Sequence, residues 1–103
     1  MLALAESFLE AGLLYDAEEF FRRAASRPGL DRVKKLALEQ GDSFLFGLAV
    51  KGTGEEEDRR VWEELGNRAM ELKKYSHAVR AFRKAGSESL LESAQAAFKA
   101  LSS

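Results

Sequence analysis

Apolar residues recur at three- and four-residue intervals along nearly the whole chain, the spacing that gathers side chains on one face of an α-helix. Between Leu2 and Ala11 they are Leu4, Ala5, Phe8, Leu9 and Ala11, and Gly12, which tolerates a left-handed backbone, predicts the stop. A second helix is expected from a cap at Asp16, with Ala17, Phe20, Phe21 and Ala24 inward. "SRPGL" is expected to end it, because Pro28 cannot continue the backbone ladder and disfavours helix at Arg27. Asp31 is the candidate cap of a third helix reaching Gln40, with Val33, Leu36 and Ala37 on its inner side. Gly41 breaks that pattern, and Asp42 or Ser43 can cap the next segment. That segment, "FLFGLAV", is apolar all round, so periodicity leaves a buried strand and a buried helix both open. Helix is favoured, because a lone strand has no sheet partner in this chain.

In "KGTGEEEDRR", Thr53 and Glu56 fit a capping box, and the acidic run suits the positive end of a helix dipole. A helix from about Glu55 to Leu72 is predicted, then one from Ser76 to Ala85 that stops at Gly86. Ser87 can cap a last helix. Its Leu90, Leu91, Ala94, Ala97, Phe98 and Leu101 form one stripe, while Glu88, Glu92, Gln95 and Lys99 face away. The pattern predicts an all-α chain of about seven helices with no convincing strand.

One spacing occurs twice. Trp62, Leu65 and Gly66 are followed by Ala78, Phe82 and Ala85. Shifted by 61 positions, the separation of Leu65 from Leu4, the same frame meets Leu4, Ala5, Ala17, Phe21 and Ala24. Met1 falls where Trp62 stands, and Phe8 supplies an aromatic at the place of Ala69. This frame closely resembles the signature of the tetratricopeptide repeat family over 1–29 and 59–86, departing from it at Ala69 and at Leu90, where a proline is expected. The spacing has a physical reason. Small residues (Ala5 or Gly66, Ala17 or Ala78) let antiparallel helices approach, and Phe21 or Phe82 fills the gap between hairpins.

The resemblance implies antiparallel hairpins stacked as a short right-handed superhelix, since one hairpin cannot bury its own apolar face. A single domain is expected: a first repeat at 1–29, a degenerate short repeat at 30–54, a third repeat at 55–86 and a capping helix at 87–103. The implied packing residues are Leu4, Ala5, Phe8, Ala17, Phe21, Ala24, Trp62, Leu65, Gly66, Ala78, Phe82 and Ala85.

Composition narrows the function classes. Sixteen basic and 17 acidic residues give a net charge of −1, which argues against a broad nucleic-acid footprint. No run approaches the roughly 18 apolar residues that span a bilayer. The opening "MLALAESFLEAG" lacks a basic n-region and carries Glu6, so no secretory signal and a cytoplasmic location are expected. The absence of cysteine removes thiolate nucleophiles and Cys-rich zinc sites. Few amide side chains (Asn67, Gln40, Gln95) beside abundant Glu, Lys and Arg point to a thermophilic source.

Candidate chemistry is sparse. His77 is the sole histidine, and catalysis there needs a nucleophile or carboxylate held beside it; an exposed or helix-end role is expected. Glu55 to Asp58 lacks the alternate ligand spacing and turn glycine of a calcium loop. "KGTGEEED" offers two glycines to a phosphate, but no Gly-Lys-Ser/Thr follows and four acids would repel the anion. Trp62 could stack on a ligand, but its signature position favours packing. No catalytic residue, metal or cofactor is expected. Arg22, Arg23, Arg27, Arg32, Lys34 and Lys35 cluster around one loop, and Arg80, Arg83 and Lys84 line the last turns of a later helix. Attraction to helix C-termini accounts for cations there; a patch for an acidic peptide or a nucleic acid is the alternative.

Proteins of the tetratricopeptide family hold a peptide or helix of a partner protein in a groove lined by the first helices of each hairpin. The resemblance therefore implies a non-enzymatic interaction module or scaffold, with Glu6, Glu10, Asn67, Arg68 and Glu71 as contact candidates. The alternative is structural: a homo-oligomeric assembly unit, or a piece of a longer chain, with Leu2, Leu13 and Leu14 near an exposed end. One subfamily grips the C-terminal carboxylate of heat-shock chaperones, and "LGN" at 65–67 matches its asparagine. Glu63, however, stands where the clamp lysine is expected, so tight binding of such tails is not expected.

Overall fold

The computed structural model describes residues 2–102, with side chains through 101; the signature position at Met1 lies outside the described residues. The described residues form seven α-helices and no strand: α1 Leu2–Glu10, α2 Leu14–Arg23, α3 Arg27–Gln40, α4 Ser43–Thr53, α5 Arg59–Glu71, α6 Tyr75–Ala85 and α7 Glu88–Ser102. "FLFGLAV" is thus helix. The chain divides into two compact units, Met1–Ala37 with Leu45–Glu56, and Leu38–Phe44 with Glu57–Ser103.

In the first unit, α1 packs on α2 across a turn in which Gly12 takes φ +79°. There Gly12 N–H donates to Leu9 O (3.1 Å) and Leu13 N–H to Phe8 O (2.8 Å), which satisfies carbonyls left over at the helix end. α2 opens at Leu14 rather than at Asp16. Leu13 precedes it with no side-chain cap, and Asp16 sits in the first turn, where its charge meets the positive end of the dipole. α2 closes into Ala25, left-handed at φ 52°.

"SRPGL" then begins α3. Ser26 is the cap, accepting from Gly29 N–H at its hydroxyl (3.2 Å) and from Leu30 N–H at its carbonyl (3.0 Å). Pro28 lies in the first turn, where a missing N–H loses no helical bond. Asp31 is therefore inside α3 and not its cap. The core gathers Ala5, Leu9, Ala17, Phe21, Leu30, Val33, Ala37, Leu45, Phe46 and Ala49. Leu4, expected to pack, is 46% exposed, and Ala24 is half-buried at the end of α2. Phe8 is half-buried and stacks on Phe20, ring centroids 5.4 Å apart.

The second unit starts α5 at Asp58, whose Oδ1 accepts from Arg60 N–H (2.8 Å). Thr53 and Glu56 do not cap it: Thr53 closes α4, its hydroxyl donating to Val50 O (2.8 Å). α5 packs on α6, and α6 on α7. Ala69, Ala78, Phe82 and Ala94 form a buried cluster, with Val79, Leu90 and Leu91 partly buried against it. Trp62, Leu65, Gly66 and Ala85 are also buried. The expected apolar stripe of α7 stops short of its end: Phe98 is 45% and Leu101 70% exposed.

At the 61-position shift the turns of the two units match bond for bond. Lys73 N–H donates to Met70 O (3.0 Å) and Lys74 N–H to Ala69 O (2.8 Å), reproducing the bonds of Gly12 and Leu13. Gly86 N–H donates to Arg83 O and Ser87 N–H to Phe82 O, reproducing those of Ala25 to Arg22 O and Ser26 to Phe21 O. α7 begins where the shift places the start of α3.

Candidate functional site

The Asp58 cap fixes where α5 starts, and with it which side chains share a face of that helix. Asn67, Arg68 and Glu71 follow one and three residues apart on α5, and all three line one depression of ≈ 350 Å³ with Leu38, Glu39 and Glu64. Arg68 is partly committed to the fold. Its Nε donates to Glu39 O (2.7 Å) and its Nη1 to Glu71 Oε2 (3.3 Å). Lys74 Nζ donates to Gln40 O (2.7 Å), so two cations of this unit cap the carbonyl end of α3. Asn67 and Glu71 stay exposed. With Glu39 and Glu64 the lining carries three carboxylates to one guanidinium.

Glu6 and Glu10 belong to the first unit. There Glu6 accepts two bonds from Arg32 Nη1 (2.6 and 2.7 Å), while Glu10 is exposed. Glu63, the departure from the chaperone clamp, accepts from Ser87 Oγ (2.7 Å).

His77 does have a serine and a carboxylate beside it. Its Nδ1 lies 3.1 Å from both the N–H and the Oγ of Ser43, and 3.6 Å from Asp42 Oδ1. A Ser-His-Asp relay needs the serine on one ring nitrogen and the carboxylate on the other. Here both face Nδ1, and Ser43 is fully buried. An Nδ1 that accepts the Ser43 N–H carries its ring proton on Nε2. The imidazole thus satisfies the start of α4, a capping role between residues 34 apart that no local sequence signal announces.

The acidic run is also used structurally. Asp58 caps α5, and Glu55 meets Arg27 at 2.6 Å. The Arg27 guanidinium, by hydrogen bond and charge, lowers the Glu55 carboxyl from its ordinary value, and Glu55 raises Arg27 in turn. Among the described residues no three His, Cys, Asp or Glu side chains gather as metal ligands do.

Most cations of the first loop are paired. Arg22 meets Glu18, Arg23 meets Glu19, Arg32 meets Glu6, and Lys34 meets Asp31. Glu18 is 1% exposed, a buried charge that tolerates its position through the Arg22 pair. Sequence reasoning missed these pairs, although the i, i+4 spacing of Glu18 with Arg22 and Glu19 with Arg23 was the signal.

Compared with protein-family models, curated proteins and solved structures, the chain matches none of them. No described helix is long and apolar enough to cross a membrane.

Proposed function

We propose that the chain is a non-enzymatic interaction module of tetratricopeptide-like design that works in the cytoplasm and holds a peptide or helix of a partner protein. The observation that carries the reading is the α5 depression, which gathers Asn67, Arg68 and Glu71 beside the apolar stem of Leu38. Its carboxylate excess suits a segment that brings cations and an apolar anchor, and fits poorly with a C-terminal carboxylate. The recurrence of one turn geometry at a 61-position shift supports the repeat part of the reading. Affinity capture from the source lysate, comparing the native chain with Asn67→Glu/Glu71→Lys, tests it. A partner retained by the native chain and lost by an equally stable variant is expected; identical recovery by both would sink the groove.

A second reading, an assembly unit, is favoured by apolar side chains exposed on the first and last helices. Leu4 is 46% exposed where its shifted counterpart Leu65 is fully buried, and Leu101 is 70% exposed. Light scattering across a concentration series decides it: association that Leu4→Glu abolishes supports self-assembly, and a strict monomer rejects it.

A further inference from the structure

The 61-position shift also compares α2 with α6, and there the charges part. Both helices end in two cations, Arg22 and Arg23 against Arg83 and Lys84. In α2 each is answered one turn earlier: Glu18 meets Arg22 at 3.1 Å and Glu19 meets Arg23 at 2.8 Å. The shifted counterparts of those glutamates are Val79 and Arg80, so α6 drops both acids and adds a third cation. Among the described residues Arg80, Arg83 and Lys84 form no ion pair. Two of them lie over rings instead, the Arg80 guanidinium 5.2 Å from the centre of the Phe44 ring and the Lys84 ammonium 5.9 Å from that of Trp62.

Helix-dipole attraction accounts for Arg83 and Lys84, as it does for Arg22 and Arg23. It does not account for Arg80, which lies in the middle of the helix, nor for the missing acids. Side-chain size changes at the same place. Ser76 stands where the shift puts Tyr15, and Ser76, Val79, Arg80, Arg83 and Lys84 line a depression of ≈ 290 Å³. We infer that this face of α6 is a docking surface for an acidic segment of a partner protein, whose side-chain carboxylates meet Arg80, Arg83 and Lys84 with Ser76 as a neutral hydrogen-bonding group.

Charge complementarity selects that occupant. The cations themselves span about one turn, a rise of about 6 Å at 1.5 Å per residue, and from Ser76 to Lys84 the depression spans about 12 Å, which about four residues of extended peptide cover. A nucleic acid carries its charge far beyond such a patch, and a chain of net charge −1 lacks the basic excess to follow it. Three cations near an anionic lipid surface give only about 1 kcal/mol each, too little to anchor the chain. The surface lies on α6 and shares no residue with the α5 depression, so it stands or falls separately from the groove.

The test is fluorescence anisotropy with a labelled, C-terminally amidated peptide rich in Asp and Glu, beside its Asn/Gln counterpart. Amidation removes the terminal carboxylate that a chaperone-type clamp would read. The native chain is expected to bind the acidic peptide and not the neutral one, with affinity falling as salt rises from about 50 to about 500 mM. Arg80→Glu restores the acid of the α2 pattern and places it one turn before Lys84, an arrangement that supports the helix. It should weaken binding by about tenfold or more, the scale of a lost charge-assisted contact set against a new repulsion. Arg83→Gln should weaken it less, and Asn67→Glu should leave it unchanged. Equal affinity for both peptides, no binding at low salt, an unaffected Arg80→Glu, or binding confined to single-stranded RNA or anionic vesicles each overturns the proposal.

Discussion

The first and second units use the same aromatic at the same place in the frame and set it against different neighbours. Phe21 and Phe82 are both about 1% exposed. Phe21 makes its closest glycine approach to Gly29 at the start of α3, where a Cβ would fall 2.1 Å from Cδ1 of the ring. Phe82 makes it to Gly66 on α5, where a Cβ would fall 2.4 Å from Cε1. The shifted counterparts are not glycine: Ala5 answers Gly66, and Leu90 answers Gly29. The place of the missing Cβ, not the identity of the aromatic, decides which neighbouring helix the ring lies against.

That contrast is most directly broken by filling the glycines. Gly66→Ala and Gly29→Ala should each destabilise, because the ring is walled in and overpacking typically costs about 1–3 kcal/mol. For Gly66 the gain in helix propensity, roughly 1 kcal/mol, opposes this and is the smaller effect against a contact of 2.4 Å. Ala5→Gly should lose about that propensity and gain nothing, since Phe21 does not need the room there. Denaturant titrations read all three. A neutral Gly66→Ala would show that Phe82 has another place to go.

The turns give a smaller contrast of opposite sign. Gly12 at φ +79° is answered by Lys73 at 59°, and Ala25 at 52° by Gly86 at +72°. Each of these two matched pairs therefore sets a left-handed glycine against a left-handed residue with a side chain. A left-handed residue with a side chain costs about 1–2 kcal/mol, and glycine gives back about 0.5–1 kcal/mol through its freer unfolded chain. Lys73→Gly and Ala25→Gly should each raise stability by up to about 1 kcal/mol. Gly12→Ala and Gly86→Ala should lower it by a similar amount, although nothing lies within 4 Å of either added Cβ. Melting temperatures moving the other way would mean that contacts, not backbone angles, set these turns.

Helix content and helix starts differ in how far the residues alone reveal them. Seven helices were legible because apolar periodicity and glycine stops are local, and the frame was legible because a close helix approach demands small residues. Helix starts were less so. Pro28 reads as a stop when only its missing N–H is considered, yet with Ser26 before it the same residue opens α3. Thr53 with Glu56 fits a capping box on sequence, yet Asp58, inside the acidic run, is the residue whose carboxylate reaches an N–H of α5, while the Thr53 hydroxyl donates back into α4. The stripe of α7 marks a face without saying what covers it, so the exposure of Phe98 and Leu101 had no signal. Nor did the commitment of Arg68 to the Glu39 carbonyl, a contact between residues 29 apart. The bare cations of α6 were readable in principle: aligning Glu18 and Glu19 with Val79 and Arg80 exposes the missing acids.

The smallest effect concerns the start of α3 and of its counterpart α7. α7 opens with Glu88, an acid at the positive end of the dipole, whereas α3 opens with Arg27, a cation at that end. Glu55 offsets the mismatch, meeting Arg27 at 2.6 Å, with Asp31 adding a weaker contact at 3.5 Å. The hydrogen bond to Arg27 lowers the Glu55 carboxyl from its ordinary 4.5. A lowered folded value gives a contribution fully present above pH 4.5 and lost as the pH falls through that lowered value. The raised Arg27 adds nothing in this window, since it stays protonated throughout. Both side chains are well exposed, so the contribution is small and screened by salt. Glu55→Gln should therefore melt slightly below the native chain at neutral pH, and the two should converge as the solution is acidified below 4.5. Arg27→Glu would copy the α7 pattern but set Glu55 and Asp31 against a third acid, so it should lose stability at neutral pH and regain it in acid. Parallel melting curves for the native chain and Glu55→Gln at every pH would remove the ion pair as the reason α3 tolerates a cation at its first position.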